Sequence, residues 1–163
     1  MDTPDRTLNL AIAATFSAGP IEPALDFWMD ELGLDARIAF AGYNQPFQEL
    51  LDPASLLSSN TQGVNIVLVR LEDWLVAAPV HEGEVRWQAD LSQKVADFID
   101  ALSAAVRRSS VSWLLIVCPA SPAIDAHPEQ ATFLDEMELI GYSEQKLRLC
   151  GWDSDALLDH PPG

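Results

Sequence analysis

Positive charge is scarce in this chain. Its 163 residues include nine lysines and arginines against twenty-five aspartates and glutamates, a formal net charge of −16 at pH 7. A surface of this sign repels polyphosphate and anionic lipid, and no basic patch with interleaved aromatic residues is present. We therefore expect neither a nucleic acid nor a membrane as a partner.

Cysteine and histidine are also few. The two cysteines, Cys118 and Cys150, lie in or beside apolar runs, which predicts buried core thiols rather than a disulfide framework. The three histidines do not recur with carboxylates at ligand spacing, so we predict no metal and no cofactor. The apolar run Leu8–Phe16 is too short to span a bilayer and lacks a preceding basic region, which predicts a cytoplasmic protein.

What is present is an alternation of apolar strands and amphipathic helices over residues 1–151, followed by an acidic, proline-ended tail or linker at 152–163. The predicted strands are Leu8–Phe16, Ala36–Ala41, Val64–Leu71, Ser112–Pro119 and an edge strand Lys146–Cys150. The predicted helices cover 21–32, 47–51, 90–108 and 129–140. This order favours one α/β domain with a three-layer, flavodoxin-like, doubly wound parallel sheet of about five strands.

The third strand ends abruptly in Glu72 and Asp73. The carboxyl ends of strands in an open α/β sheet form the crevice in which ligands bind, so this acidic pair marks a candidate binding site. Carboxylates at a strand tip also serve as caps or solvated turn residues, and that alternative stays open.

A serine, Ser17, follows the first strand directly, where a hydroxyl beside helix amides can act as a nucleophile or simply form a turn. A nucleophilic serine needs a base, and the candidates are His81, His127 and His160. We favour His127 because it follows the fourth strand, on the same side of the predicted sheet. A solvated histidine is the alternative.

Tyr43, Asn44 and Gln45 follow the second strand, and Asn65 lies within the third. Side-chain amides at strand ends can bind a carbonyl or hydroxyl group of a ligand, although they are equally common in turns. We therefore add these residues to Glu72 and Asp73 as candidate binding residues.

Several blocks of the sequence resemble the amino-terminal region of FkbH-like (HAD-IIIC) proteins and related segments of polyketide and nonribosomal peptide megasynthases. The blocks are Phe27-Trp28, Glu31-Leu32-Gly33, Tyr43-Asn44-Gln45-Pro46-Phe47-Gln48, Leu51-Asp52-Pro53-Ala54-Ser55-Leu56-Leu57 and Gly63 to Trp74. The resemblance covers about residues 8–118. It implies a fold like that of SGNH hydrolases, followed in the family by a phosphatase-like domain that loads a glyceryl unit onto a carrier protein.

The hydrolase signatures themselves are degenerate. Thr15-Phe16-Ser17 stands in place of Gly-Asp-Ser, Arg70-Leu71-Glu72-Asp73 in place of Gly-x-Asn-Asp, and Leu157 three residues before His160 in place of Asp. The resemblance thus favours a noncatalytic recognition or docking module that contacts an acyl or peptidyl carrier domain, its bound intermediate or an adjacent megasynthase domain. The alternatives are an SGNH-type serine esterase or acyltransferase using Ser17 and His127, acting on an acyl or glyceryl ester or thioester, and a purely structural spacer.

Overall fold

A parallel β-sheet forms the centre of the protein. The computed structural model describes residues 7–75 and 84–137. Its strands are β1 (Leu8–Ala14), β2 (Ala36–Phe40), β3 (Gly63–Arg70) and β4 (Ser112–Cys118), in the order β2-β1-β3-β4 with every neighbouring pair parallel. The predicted α/β class and parallel sheet are confirmed. The described part of the sheet has four strands rather than five, and the fifth predicted strand lies outside the described residues.

Helices lie between these strands and after β4, and apolar periodicity predicted all of them except the short α3. They are α1 (Glu22–Glu31), α2 (Pro46–Leu51), α3 (Leu56–Ser59), α4 (Glu84–Arg108) and α5 (128–137). Short 3-10 turns lie at Gly19–Ile21, Leu71–Trp74 and Pro122–Ala126. The strand order matches the first four positions of a flavodoxin-like sheet, while the full three-layer arrangement stays a prediction.

One face of the sheet carries the main core. Phe47 of α2, Trp74 after β3 and Phe98 of α4 make tilted and edge-on ring contacts, with ring centroids 5.1 to 5.7 Å apart. Leu134 of α5 is fully buried in the same cluster. Aromatic contacts of this kind add to the free energy gained by area burial alone. They fix α2, α4 and the end of β3 relative to one another.

The other face is covered only in part. Across the sheet Ile12 of β1 and Leu68 of β3 are buried, whereas Leu114 and Ile116 of β4 are 42% and 38% exposed. Helix α1 packs on this face through Leu25, and none of its residues is fully buried. The predicted helix is therefore confirmed, but much of its apolar surface faces solvent.

Among the described residues, two boundaries of predicted elements differ from the sequence prediction by two residues or more. Strand β1 ends at Ala14 instead of residue 16, because the hydroxyl of Thr15, not a backbone carbonyl, accepts the hydrogen bond from the backbone N–H of Arg70. Helix α4 begins at Glu84 instead of residue 90, and Trp87 in this extension packs edge-on against Phe133 of α5 at 5.2 Å. Both boundaries depend on tertiary contacts that periodicity does not encode.

The start of β3 requires glycine. Gly63 has a φ of 109°, and a Cβ there would lie 2.1 Å from the backbone oxygen of Asn9 in β1. Only glycine adopts this conformation and permits this approach of the two strands.

In the described part of the chain, no helix is long and apolar enough to cross a bilayer.

Candidate functional site

The carboxyl ends of β1 and β3 meet in a partly buried hydrogen-bond network. The side chain of Thr15, which is fully buried, donates to Asp73 Oδ2 at 2.8 Å and accepts from the backbone N–H of Arg70 at 3.0 Å. β1 pairs with β3 in parallel, so residues that follow one strand reach the end of its neighbour. The predicted acidic tip of β3 is thus tied to β1 by a threonine hydroxyl.

Arg70 lies between two carboxylates. Its Nε and terminal nitrogen donate to Asp73 at 3.1 and 2.7 Å, and Nε lies 3.1 Å from Glu72 Oε1. The guanidinium also stands over the Phe16 ring, 5.4 Å from its centroid. The hydrogen bond to Asp73 and the charges of both carboxylates raise the pKa of Arg70, against a smaller opposing effect of burial. The arginine is held charged and in one orientation.

Glu72 connects this network to the loop after β4. Its Oε2 accepts a hydrogen bond from the backbone N–H of Ser121 at 2.8 Å, while its Oε1 faces Arg70. The carboxylate thus bridges the ends of β3 and β4. Both predicted acidic residues lie at the carboxyl edge of the sheet, and both are engaged within the protein.

The exposed side of the crevice carries the predicted Tyr43, Asn44 and Gln45. All three are exposed after β2, and Asn44 has a left-handed φ of 53°. The Gln45 side chain lies over Gly42, where an added Cβ would come within 2.4 Å of its Oε1. Tyr43 is close enough to contribute to the raised pKa of Arg70. This loop therefore borders the Arg70 network with neutral hydrogen-bonding groups.

Ser17 is exposed at the carboxyl side of β1, where the sequence places it. Within residues 7–75 and 84–137, neither its hydroxyl nor the exposed imidazole of His127 makes a hydrogen bond. The other two histidines considered as bases, His81 and His160, lie outside the described residues. The described structure thus holds an accessible serine without an engaged base.

Asn65 lies in the protein interior. It is fully buried, accepts a hydrogen bond from the Asn60 amide at 2.9 Å and donates to the carbonyl of Leu57 at 2.8 Å. These bonds hold the connection between α3 and β3. The structure therefore gives Asn65 a structural position, apart from the crevice that contains the other candidate residues.

Sequence reasoning did not include Thr15, Phe16, Arg70 or Ser121 among the site residues. The signal for two of them was present, because Thr15 interrupts the apolar run Leu8–Phe16 and Arg70 interrupts the apolar run that continues to Leu71. Ser121 contributes through its backbone N–H, which carries no side-chain signal. No group of three potential metal ligands occurs in the part of the chain that the structure describes.

A small cavity of about 110 Å³ lies at the opposite end of the sheet. Its lining includes Trp113 near the start of β4 and Arg108 at the end of α4. Arg108 donates to the carbonyl of Leu50, whereas the buried indole N–H of Trp113 has no partner among the described residues. The cavity is separate from the carboxyl edge.

Comparisons with known proteins support the fold. No family model and no curated protein matches the chain. Among solved structures it is similar to the N-terminal part of the protein BF1531 from Bacteroides fragilis, which contains a phosphatase domain complexed with Mg. The TM-score is 0.60 at 16% identity, with 85% of this chain and 38% of that chain covered. The chain thus spans little more than a third of that structure, and the likeness at this identity is one of fold.

Proposed function

We propose that this chain is a noncatalytic recognition module of a polyketide or nonribosomal peptide assembly line, which contacts a carrier-bound intermediate or a neighbouring synthase domain. The sequence blocks that resemble FkbH-like proteins and the likeness to the N-terminal part of a phosphatase-containing protein support this placement. In that reading the chain is an accessory α/β unit beside the catalytic machinery.

The proposal depends on a difference between the charged and the neutral side chains of the crevice. The charged side chains Arg70, Glu72 and Asp73 bond to one another and to the protein, so they form a fixed wall. The exposed groups beside them, on Tyr43 and Asn44, are neutral donors and acceptors. Such groups suit the amides and hydroxyls of a pantetheine-linked ligand, which need hydrogen bonds rather than charge.

Electrostatics opposes free encounter with an acidic carrier domain, because this chain itself carries a formal charge of −16. Covalent linkage in one assembly offsets this repulsion through a high effective concentration. The proposal therefore requires weak recognition of a tethered ligand, with affinity that rises as salt screens the repulsion.

A serine esterase or acyltransferase is the second candidate, and the exposed position of Ser17 beyond β1 favours it. In such an enzyme His127 would act as the base that activates the serine hydroxyl. The structure gives this candidate an accessible hydroxyl, while the described residues supply no bond between hydroxyl and base.

One experiment separates the two candidates. The chain is incubated with a fluorophosphonate, which forms a covalent bond with activated serines, and its intact mass is measured alongside that of Ser17→Ala. We expect no adduct on the folded protein. A stoichiometric adduct that disappears in Ser17→Ala would establish the enzyme and overturn the recognition module.

Ligand recognition is tested directly by titrating an acyl-pantetheine into isotopically labelled protein. We expect amide shifts confined to the ends of β1, β2 and β3, and weaker binding by the variant Asn44→Ala. The matched control is Gln48→Ala, an exposed amide on α2. Equal binding by both variants and the wild type would contradict recognition through this loop.

A further inference from the structure

We propose that the exposed flank of α1 is a docking surface for a basic protein helix with apolar anchor residues. Phe27, Trp28 and Leu32 are 55%, 59% and 63% exposed, although α1 packs against one face of the sheet. The two aromatic rings contact each other edge to face at 5.4 Å. We call Phe27, Trp28, Glu31 and Leu32 the α1 flank.

Helix geometry brings these four residues together. Leu32 follows Trp28 by four positions, and Glu31 follows Phe27 by four and Trp28 by three, so all are neighbours on the helix surface. Another residue of α1, Leu25, packs against the second core cluster of the sheet. The α1 flank is thus an apolar surface that the described fold does not use.

The charge around the α1 flank determines which sign of charge a partner should carry. Residues 19–35 contain five aspartates and glutamates and no lysine or arginine. The ion pairs of the described structure involve Arg70 alone, so no carboxylate of α1 is paired there. A second copy of this chain or an acidic carrier domain would bring like charges together, which costs free energy. A basic partner is attracted instead.

Glu31 and Trp28 together favour arginine on the partner. A guanidinium can stack on the exposed indole and pair with a carboxylate one helical turn away. Aromatic residues next to a complementary charge are typical of binding hot spots in protein interfaces. The expected partner segment therefore presents arginine beside leucine or isoleucine on one face of a helix.

The α1 flank is independent of the proposed recognition crevice. Leu32 stands just before the turn that leads into the start of β2, whereas the crevice lies at the ends of the strands. Failure of ligand recognition would leave this proposal standing, and the reverse also holds.

The test uses the whole chain and a labelled synthetic helix of about eighteen residues, long enough to hold helical structure, with leucine on one face and arginine elsewhere. Fluorescence anisotropy measures its binding, and a leucine–glutamate peptide is the negative control. We expect saturable binding of the basic peptide that Trp28→Ser weakens about tenfold or more. The control Leu51→Ser removes from α2 an apolar side chain about as exposed as that of Trp28, and it should leave binding unchanged.

A second pair of variants separates docking from general charge attraction. Asp30→Asn with Glu31→Gln removes two negative charges at and next to the α1 flank, whereas Asp100→Asn with Glu136→Gln removes the same charge from exposed sites on α4 and α5. We expect the first pair to weaken binding several-fold more than the second, since nearby charges act more strongly. Equal weakening by both pairs, binding unaffected by Trp28→Ser, or no saturable binding by well-folded protein would overturn the proposal. So would sedimentation showing a homodimer that Trp28→Ser dissociates.

Discussion

Replacing Thr15 by valine tests whether the network at the carboxyl edge holds the sheet ends together. The two side chains have nearly the same shape, so packing is kept while the hydroxyl is lost. That hydroxyl makes two hydrogen bonds in a fully buried position, one of them to the carboxylate of Asp73. A bond to a charged group contributes about 1.5–3 kcal/mol, and the backbone N–H of Arg70 loses its acceptor as well. We expect a loss of about 2–4 kcal/mol in the free energy of unfolding.

The assay is urea denaturation at pH 7, followed by far-ultraviolet circular dichroism with the slope held common to all variants. The control is Thr132→Val on α5, because its exposed hydroxyl bonds only to a helix carbonyl. That change should cost less than about 0.5 kcal/mol. The double variant Thr15→Val with Asp73→Ala should lose about 1–2 kcal/mol less free energy of unfolding than the sum of the two single variants, because both changes remove the same hydrogen bond.

Two outcomes would refute this reasoning. If Thr15→Val unfolds within about 0.5 kcal/mol of the wild type, the buried hydroxyl does not stabilise the fold as its two bonds indicate. If the effects of Thr15→Val and Asp73→Ala add, the two side chains do not act as one unit. Either result would remove the basis for describing the crevice wall as fixed.

Two further predictions concern the two ends of β3. Gly63→Ala should lower the free energy of unfolding by at least about 3 kcal/mol, because the added Cβ would meet the backbone of Asn9. The control is Gly19→Ala, where the space is open, and it should change the free energy of unfolding by less than about 0.5 kcal/mol. Equal costs would contradict the close approach of the strands. Glu72→Gln should speed hydrogen exchange at the Ser121 amide about tenfold, because the amide loses a charge-assisted bond, while the amides of β1 stay unchanged. Unchanged exchange at Ser121 would show that the carboxylate does not hold this loop.

The sheet was largely predictable from local sequence. The valine-rich run Val64–Val69 and the alternation of strands and helices predict a buried parallel strand and its neighbours, because burial on both faces demands continuous apolar residues. Glu72 and Asp73 follow that run, so their place at the carboxyl edge is also predictable. The strand bounds agree to within two residues in β1 and one in β2 and β4.

Partners distant in sequence were not predictable. Thr15 and Asp73 are 58 positions apart, and no local pattern indicates that their side chains meet. Asn65 is only five and eight positions from its partners Asn60 and Leu57, yet no local pattern predicts that their amide and carbonyl satisfy a buried polar group that would otherwise favour the surface. A single polar residue within an apolar strand is compatible with both a ligand site and an internal bond. Only the tertiary structure distinguishes them.

Charge distribution links the two proposed surfaces. At the crevice, one guanidinium and two carboxylates bond to one another and to the backbone N–H of Ser121, so each charged group has a partner and a net charge of about −1 remains. Within the described residues no carboxylate of α1 forms an ion pair, so these charges stay available to attract a basic partner. A module of this design would take its position in an assembly from charge on α1. It would then bind a tethered ligand at the crevice through hydrogen bonds from the exposed neutral groups of the loop after β2.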